Sequence, residues 1–226
     1  MPIDRANSEQ PTSEPSQSWY GVYPVLVIDN KDPENQSRLK IVFEEHEIWA
    51  RLAILIGGND WGTWFIPDVN DEVLVAFEGG DTRKPYVIGA LWNGRDMPPD
   101  SMDGASNDYR KVLRSRNGVV IILDDQEGQE KFIIETPGEQ RITMKEGPGS
   151  IMIEDSNGNS IKLESAGMTV TASGKVTINA SAMEVTAGMI TVNAGMSRFS
   201  GVVQCDTLIS NSVISSSYTP GAGNIW

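Results

Sequence analysis

From Met168 onward the chain alternates apolar and polar residues in blocks of five. Met168, Val170 and Ala172 alternate with threonines, and Val176, Ile178 and Ala180 repeat the scheme. Met183, Val185 and Ala187, then Ile190, Val192 and Ala194, complete four units in one stretch, MTVTASGKVTINASAMEVTAGMITVNAG. Three earlier pairs extend the series upstream: Ile142 with Met144, Ile151 with Ile153, and Ile161 with Leu163. A period of two predicts β-strands, in which the apolar members share one face and the threonines the other. Units begin at 142, 151, 161, 168, 176, 183 and 190, so the spacing tightens from nine or ten residues to seven or eight. The early breaks (KEGPGS, EDSNGNS) are polar and loop-like, and the late ones are one to three small residues. A taper is implied.

The first half has a different texture. YGVYPVLVID, SRLKIVF, IWARLAILI, TWFIPDV, DEVLVAF and KPYVIGALW read as short strands separated by the turn signals DNKDPENQ, GGND and EGGD. With no helical period among them, the expected fold class is all-β, beginning with a compact antiparallel barrel or sandwich. The predicted organisation is a polar arm over 1–18, a barrel domain over 19–94, a Pro-rich linker over 95–117, a repeat domain over 118–210 and a terminal segment over 211–226.

A five-residue strand cannot fold alone. Its apolar side chains contribute on the order of 5 kcal/mol on burial, whereas fixing about seven backbones costs roughly 7–14 kcal/mol. Stacking still leaves an apolar face that no helix of this chain covers. One closure is a single-chain β-solenoid, which takes about three hexapeptide-like units per coil. The other is three chains wrapped about a common axis, each supplying one wall per level. Alanine at the third inward position suits a crowded corner near an axis. Short breaks suit a chain that advances without hairpins, and drifting periods suit a tapering prism. The intertwined trimer is the better fit.

Composition narrows the partners. A net charge of −13 leaves no excess of Lys and Arg to displace counterions from nucleic acid or an anionic membrane. A single cysteine, Cys205, excludes an intrachain disulfide framework, and its expected place is as a small buried residue. No 18-residue apolar run predicts a spanning helix. The opening residues MPIDRANSEQPTSEPSQS lack the apolar core of a secretory signal and read as a disordered arm.

The stretch WARLAILIGGNDWGTWFIPDVNDEVLVAFEGGDTRKPYVIGALWNG, residues 49–94, resembles the OB-fold domain of contractile-tail spike proteins: phage baseplate assembly protein V and the VgrG-type spikes of type VI secretion. Asp32-Pro33, Arg38 to Phe43, Trp49 to Leu52, Gly62 to Phe77, Gly79-Gly80-Asp81 and Pro85 to Gly89 carry the resemblance. Asn70 stands where the family has glycine before Asp-Glu-Val, and asparagine tolerates the left-handed turn conformation. The resemblance implies that the repeats form a trimeric β-helix needle with the OB domains at its broad end. The family apex often carries an H-x-H motif from each chain around one iron ion, then a Pro-Gly-rich closing segment. Here Ser215 and Ser217 fall at those histidine positions, and Thr219-Pro220-Gly221-Ala222-Gly223-Asn224 resembles the closing segment. Hydroxyls are poor ligands for such a metal, so no apex metal and no other cofactor is expected. Packing of Tyr218, Ile225 and Trp226 around Pro220, or a separate capping protein, would close the tip.

Other groups invite chemistry and read more simply as structure. Glu44, Glu45 and Glu47 flank the only histidine, His46, on a solvated strand end. Asp124, Asp125 and Glu127 lack the order of a calcium loop. Trp19, Trp49, Trp61, Trp64 and Trp92 would suit base stacking only beside a cationic groove, which an acidic domain does not supply. The expected function is therefore non-enzymatic, with no catalytic residue: a homotrimeric central spike at the tip of a contractile tail. It would be assembled in the producer cytoplasm, seated on a separate hub protein, and driven through a target envelope. The short arm ahead of Trp19 favours a phage tail, or a phage-derived extracellular particle, over a hub-fused secretion spike. A trimeric adhesive fibre is the alternative, and an OB-type nucleic-acid binder a more distant one.

Overall fold

The computed structural model describes residues 18–216, and the chain divides into two units, 1–175 and 176–226. In the first unit, β1 (Val22–Asp29), β2 (Leu39–Phe43), β3 (His46–Leu52), β6 (Glu72–Phe77) and β7 (Pro85–Ala90) close into a five-stranded barrel in the order β1-β2-β3-β7-β6. All pairs are antiparallel except β3 with β7. A two-stranded ribbon, β4 (Gly57–Gly58) with β5 (Trp61–Gly62), lies in the loop between β3 and β6. One 3₁₀ turn at Glu78–Gly80 is the only helical element among the described residues.

Alternation builds the barrel core. Val25 and Val27 of β1, Leu39, Ile41 and Phe43 of β2, Ala50 of β3, Val73, Val75 and Phe77 of β6, and Val87 of β7 all point inward and are buried. Six of them, Leu39, Ile41, Val27, Val73, Val75 and Val87, lose nearly all contact with solvent. At roughly 1.5–3 kcal/mol each, these side chains dominate the barrel's stability. One end is plugged by aromatics: Phe43 lies 4.7 Å from Phe77, 5.0 Å from Trp19 and 5.2 Å from Tyr23 between ring centroids. Trp19 is held there because its N–H donates to the Gly80 carbonyl at 2.9 Å. Gly80 has φ +79°, and an added Cβ would sit 3.0 Å from the Trp19 nitrogen, so glycine is required at this point.

The Asp32-Pro33 signature has a structural explanation. Asp32, the one buried charged residue of the barrel, accepts hydrogen bonds from Arg38 Nη2 (2.8 Å) and Nε (3.1 Å). It also accepts the backbone N–H groups of Glu34, Gln36 and Arg38. One carboxylate thus organises the whole β1–β2 connection. The Arg38 hydrogen bonds hold its pKa well below the usual carboxylate range, against the opposing effect of burial. Asn70 adopts φ +76°, the left-handed geometry its position demands.

Seven five-residue strands follow in one antiparallel meander: β8 (Arg110–Arg114), β9 (Val120–Asp124), β10 (Lys131–Glu135), β11 (Arg141–Lys145), β12 (Ser150–Glu154), β13 (Ser160–Glu164) and β14 (Gly167–Thr171). The first strand falls inside 95–117, the stretch read as linker. The unit at Met168 also differs from the expectation of hairpin-free breaks. Glu164 pairs with Gly167, so Ser165-Ala166 forms a two-residue hairpin, and the φ of +130° at Gly167 is a conformation that only glycine adopts cheaply. Pairing within the chain, among the described residues, ends at Thr171.

Candidate functional site

Strand register sorts the meander into two faces. One row across the sheet runs Leu113, Ile121, Ile134, Ile142, Ile153, Ile161, Val170. A parallel row on the same face runs Lys111, Leu123, Phe132, Met144, Ile151, Leu163, Met168. Two positions on each of seven strands make fourteen, and only Lys111 is polar. Neighbours in these rows are cross-strand pairs, the contacts that stabilise a sheet.

The opposite face is increasingly polar toward β14. Its central row begins Val112, Ile122, Ile133 and continues Thr143, Met152, Lys162, Thr169. Its flanks carry charge: Arg141 pairs with Glu135 at 2.8 Å and reaches Glu154 at 4.0 Å, while Lys131 reaches Asp124 at 3.9 Å. Burial is inverted relative to an ordinary sheet. In β11, β12 and β13 the apolar residues Ile142, Met144, Ile151, Ile153, Ile161 and Leu163 are the exposed members, from 38% to 45%, while Thr143, Met152 and Lys162 are half-buried. Among the described residues of one protomer, nothing covers the apolar face of these strands. An uncovered apolar surface of this extent marks an association site.

The second unit continues the chemistry without the pairing. Residues 176–216 contain no strand, and every one of them is exposed. The chain bends at Ser181, Gly188, Gly195, Ser200-Gly201, Asp206, Asn211 and Ser216. Successive steps are seven, seven, six, five, five and five residues. Val176, Ile178, Ala180, Met183, Val185, Ala187, Ile190, Val192 and Ala194 lie between these bends, and all are exposed. Ala172, just past β14, is half-buried.

Of the sequence-predicted residues, the sheet brings Ile142, Met144, Ile151, Ile153, Ile161, Leu163, Met168 and Val170 together. Leu113, Ile121, Leu123, Phe132 and Ile134 belong to the same rows and escaped the sequence reading. In VVIIL and KFIIE apolar residues occupy consecutive positions, which hides the period of two. The doublets Val202-Val203, Leu208-Ile209 and Val213-Ile214 fall outside the period of the earlier units, because they recur at five or six residues rather than seven. Ser215 is exposed, and Ser217, Tyr218, Pro220, Ile225 and Trp226 lie outside the described residues, as does most of the arm.

The remaining polar groups are placed simply. Glu44, Glu45, His46 and Glu47 are exposed at the β2–β3 hairpin, where His46 Nδ1 lies 2.7 Å from the Glu44 carbonyl and Glu47 pairs with Lys40. Asp125 and Glu127 occupy the β9–β10 turn. Cys205, expected to be buried, is exposed in the single chain, since residues 176–216 are all exposed and form no core of their own. Trp19 joins the aromatic plug and Trp49 lies 5.8 Å beneath the Arg38 guanidinium, whereas Trp61, Trp64 and Trp92 face solvent. Among the described residues there is no group of three or more His, Cys, Asp or Glu arranged to hold a metal, and no helix long and apolar enough to cross a membrane.

Comparison with known proteins gives the barrel and the open-faced sheet a common context. Residues 23–92 match the type VI secretion system/phage-baseplate injector OB domain, and residues 131–196 match the phage baseplate V C-terminal trimerisation domain. The chain belongs to the contractile-tail spike family. Its relatives include the type VI secretion system spike protein VgrG1b of Pseudomonas aeruginosa, 26% identical over 108 residues, which are 45% of this chain and 15% of that protein. VgrG3 of Vibrio cholerae is 25% identical over 115 residues, 45% of this chain and 11% of its own length. VgrG5 of Pseudomonas aeruginosa is 30% identical over 92 residues, 38% of this chain and 11% of its own length. The chain thus spans about 15% or less of these spike proteins. In this family member the trimerisation domain covers β10 to β14 and continues into the unpaired segment, the regions whose apolar side chains are left open.

Proposed function

We propose that three copies of this chain associate through the apolar face of the meander and wind their 176–216 segments about a common axis, forming the central spike of a contractile-tail baseplate. The observation that carries this reading is the pair of apolar rows: thirteen of fourteen positions are apolar, and ten of these are exposed in a single chain while Ile121, Phe132 and Ile134 are half-buried. Three such faces turned inward make a closed core, and the opposite faces, which grow more polar toward β14, are then turned outward. Beyond Thr171 the described backbone N–H and C=O groups have no ladder within their own chain, and buried backbone groups demand partners. Neighbouring copies would supply them.

The trimer core would comprise the residues from Ile142 to Ala194 named above, with Leu113, Ile121, Leu123, Phe132, Ile134 and the later doublets added. Shortening of the steps from seven to five residues supports a narrowing tip. At about 3.3 Å per residue, each wall would shrink from roughly 23 to 16 Å. Such a spike acts mechanically. Contraction drives it forward, and a narrow, backbone-bonded shaft concentrates the force on the target envelope. The barrel end would dock on a hub protein of the baseplate and the tip would be closed by its own terminal segment or by a capping protein. The assembly belongs to a virion tail or a related extracellular particle, and performs no catalysis.

Mass in solution, measured with and without SDS and before and after heating, tests the reading. A particle of three chains that resists SDS until heated is expected. A monomer with a self-sufficient repeat region would refute it, and release of soluble fragments from purified cell wall would refute the absence of catalysis.

A further inference from the structure

One large apolar feature is used neither by the barrel core nor by the sheet face. Between β3 and β6, residues 53–65 read AILIGGNDWGTWF. Their ribbon is held by its backbone: Gly57 pairs with Gly62, Gly58 with Trp61, and Thr63 N–H donates to the Ile56 carbonyl at 2.9 Å. Two glycines make this possible. A Cβ at Gly58 would lie 2.4 Å from the Trp61 ring, and one at Gly62, where φ is +144°, would lie 2.5 Å from the Ile56 carbonyl oxygen. The ribbon therefore has a defined form, and that form presents Leu55, Trp64 and Phe65 to solvent at 91%, 74% and 69% exposure. Its one charged residue is Asp60.

The same unit contains a matching receptor. A cleft of about 590 Å³ is lined by Trp92, Met97, Pro98 and Pro99 and by the run Val112 to Arg116. No residue of the ribbon lines it, and Trp92, Met97 and Leu113 are all exposed. Leu113 begins the apolar row of the sheet and Val112 the row of the opposite face, so the cleft lies along the edge strand β8 and adjoins the face assigned to trimer contacts at Leu113. The loop that returns from the ribbon is tied beside it: Asp68 pairs with Arg116, and Arg95 Nη2 donates to the Asn70 carbonyl at 2.9 Å. Arg114, the rim arginine that has no ion pair among the described residues, complements Asp60. A projection and a receptor at different places on one protomer define a head-to-tail contact, which closes into a ring under three-fold rotation.

We propose that residues 53–65 form a clasp between copies, with Leu55, Trp64 and Phe65 of one chain seated in the Trp92–Met97–Leu113 cleft of the next. The inference rests on the trimer reading above and extends it from the repeat region to the barrels. Its test uses the full chain carrying Leu55→Cys, Met97→Cys and Cys205→Ser, bridged with a short bis-maleimide and compared with each single-cysteine chain. The expected result is bridging between chains, up to a covalent trimer on a denaturing gel, only when both cysteines are present. Particles that remain trimeric by mass but show bridging within one chain, or none, would overturn the clasp and leave the trimer standing. Monomers by mass would overturn both.

Discussion

Val170 and Thr169 are adjacent residues of β14 on opposite faces of the sheet, which makes them a matched pair of probes. Val170 stands in the apolar row beside Ile161 and is 54% exposed in the protomer. Completing its burial in an assembly stabilises by about 1 kcal/mol per chain. Val170→Asp removes that contribution and puts a carboxylate in its place, and an unpaired buried carboxylate costs several kcal/mol even after relaxation. Three chains bring three such charges to one level, so the total penalty is on the order of 10 kcal/mol per trimer. At about 1.4 kcal/mol per decade, the assembly constant falls by about seven decades. Analytical ultracentrifugation at micromolar chain concentration and neutral pH should find the variant largely monomeric. Thr169→Asp, which places the same carboxylate one residue away, should remain a trimer with unaltered SDS resistance. Two outcomes would refute the reasoning: a Val170→Asp trimer as heat-stable as the parent, or equal disruption by Thr169→Asp.

Three further predictions concern the barrel. The folded-state pKa of Asp32 is depressed, so its contribution is fully present above the unfolded value, about 3.9, and is lost as pH falls through the folded one. Melting temperature against pH should therefore decline on the acid side for the parent and less steeply for Asp32→Asn, which should start lower at neutral pH. Glu44 and Glu45 form a two-residue hairpin turn with φ of +50° and +67°, a geometry that an Asn-Gly pair adopts far more easily. The double substitution Glu44→Asn with Glu45→Gly should stabilise the barrel by about 1 kcal/mol, read as a rise in denaturant midpoint at constant m. Gly80→Ala must adopt a left-handed φ and crowd the Trp19 nitrogen, at a cost of roughly 1–3 kcal/mol. Near-ultraviolet circular dichroism of the aromatic plug should weaken with it.

Much of this molecule was legible before any coordinates. The strands of the barrel follow from alternation, and the turn at Asn70 from the asparagine before Asp-Glu-Val. The units from Ile142 to Val170 marked an apolar stripe, and strand register places those eight residues on one face. Consecutive apolar runs at Val119–Leu123 and Phe132–Ile134 were opaque for a physical reason. When both faces of a strand are apolar, side-chain periodicity no longer tells which face is which, and only the partner strand resolves it. The hairpin at Ser165-Ala166 was missed because a two-residue break is compatible with both a reversal and a gentle advance.

By itself, the sequence determined the all-β class, the stretches that hold the barrel's five main strands, and the presence of an apolar stripe too narrow to fold alone, because alternation of side chains is a local property of extended backbone. Only the tertiary structure decided that the stripe becomes two uninterrupted rows from β8 to β14, that pairing within the described chain stops at Thr171, and that Leu55, Trp64 and Phe65 are held outward. Register and exposure depend on which residues meet across distant stretches of chain, and no run of neighbours along the backbone contains that information.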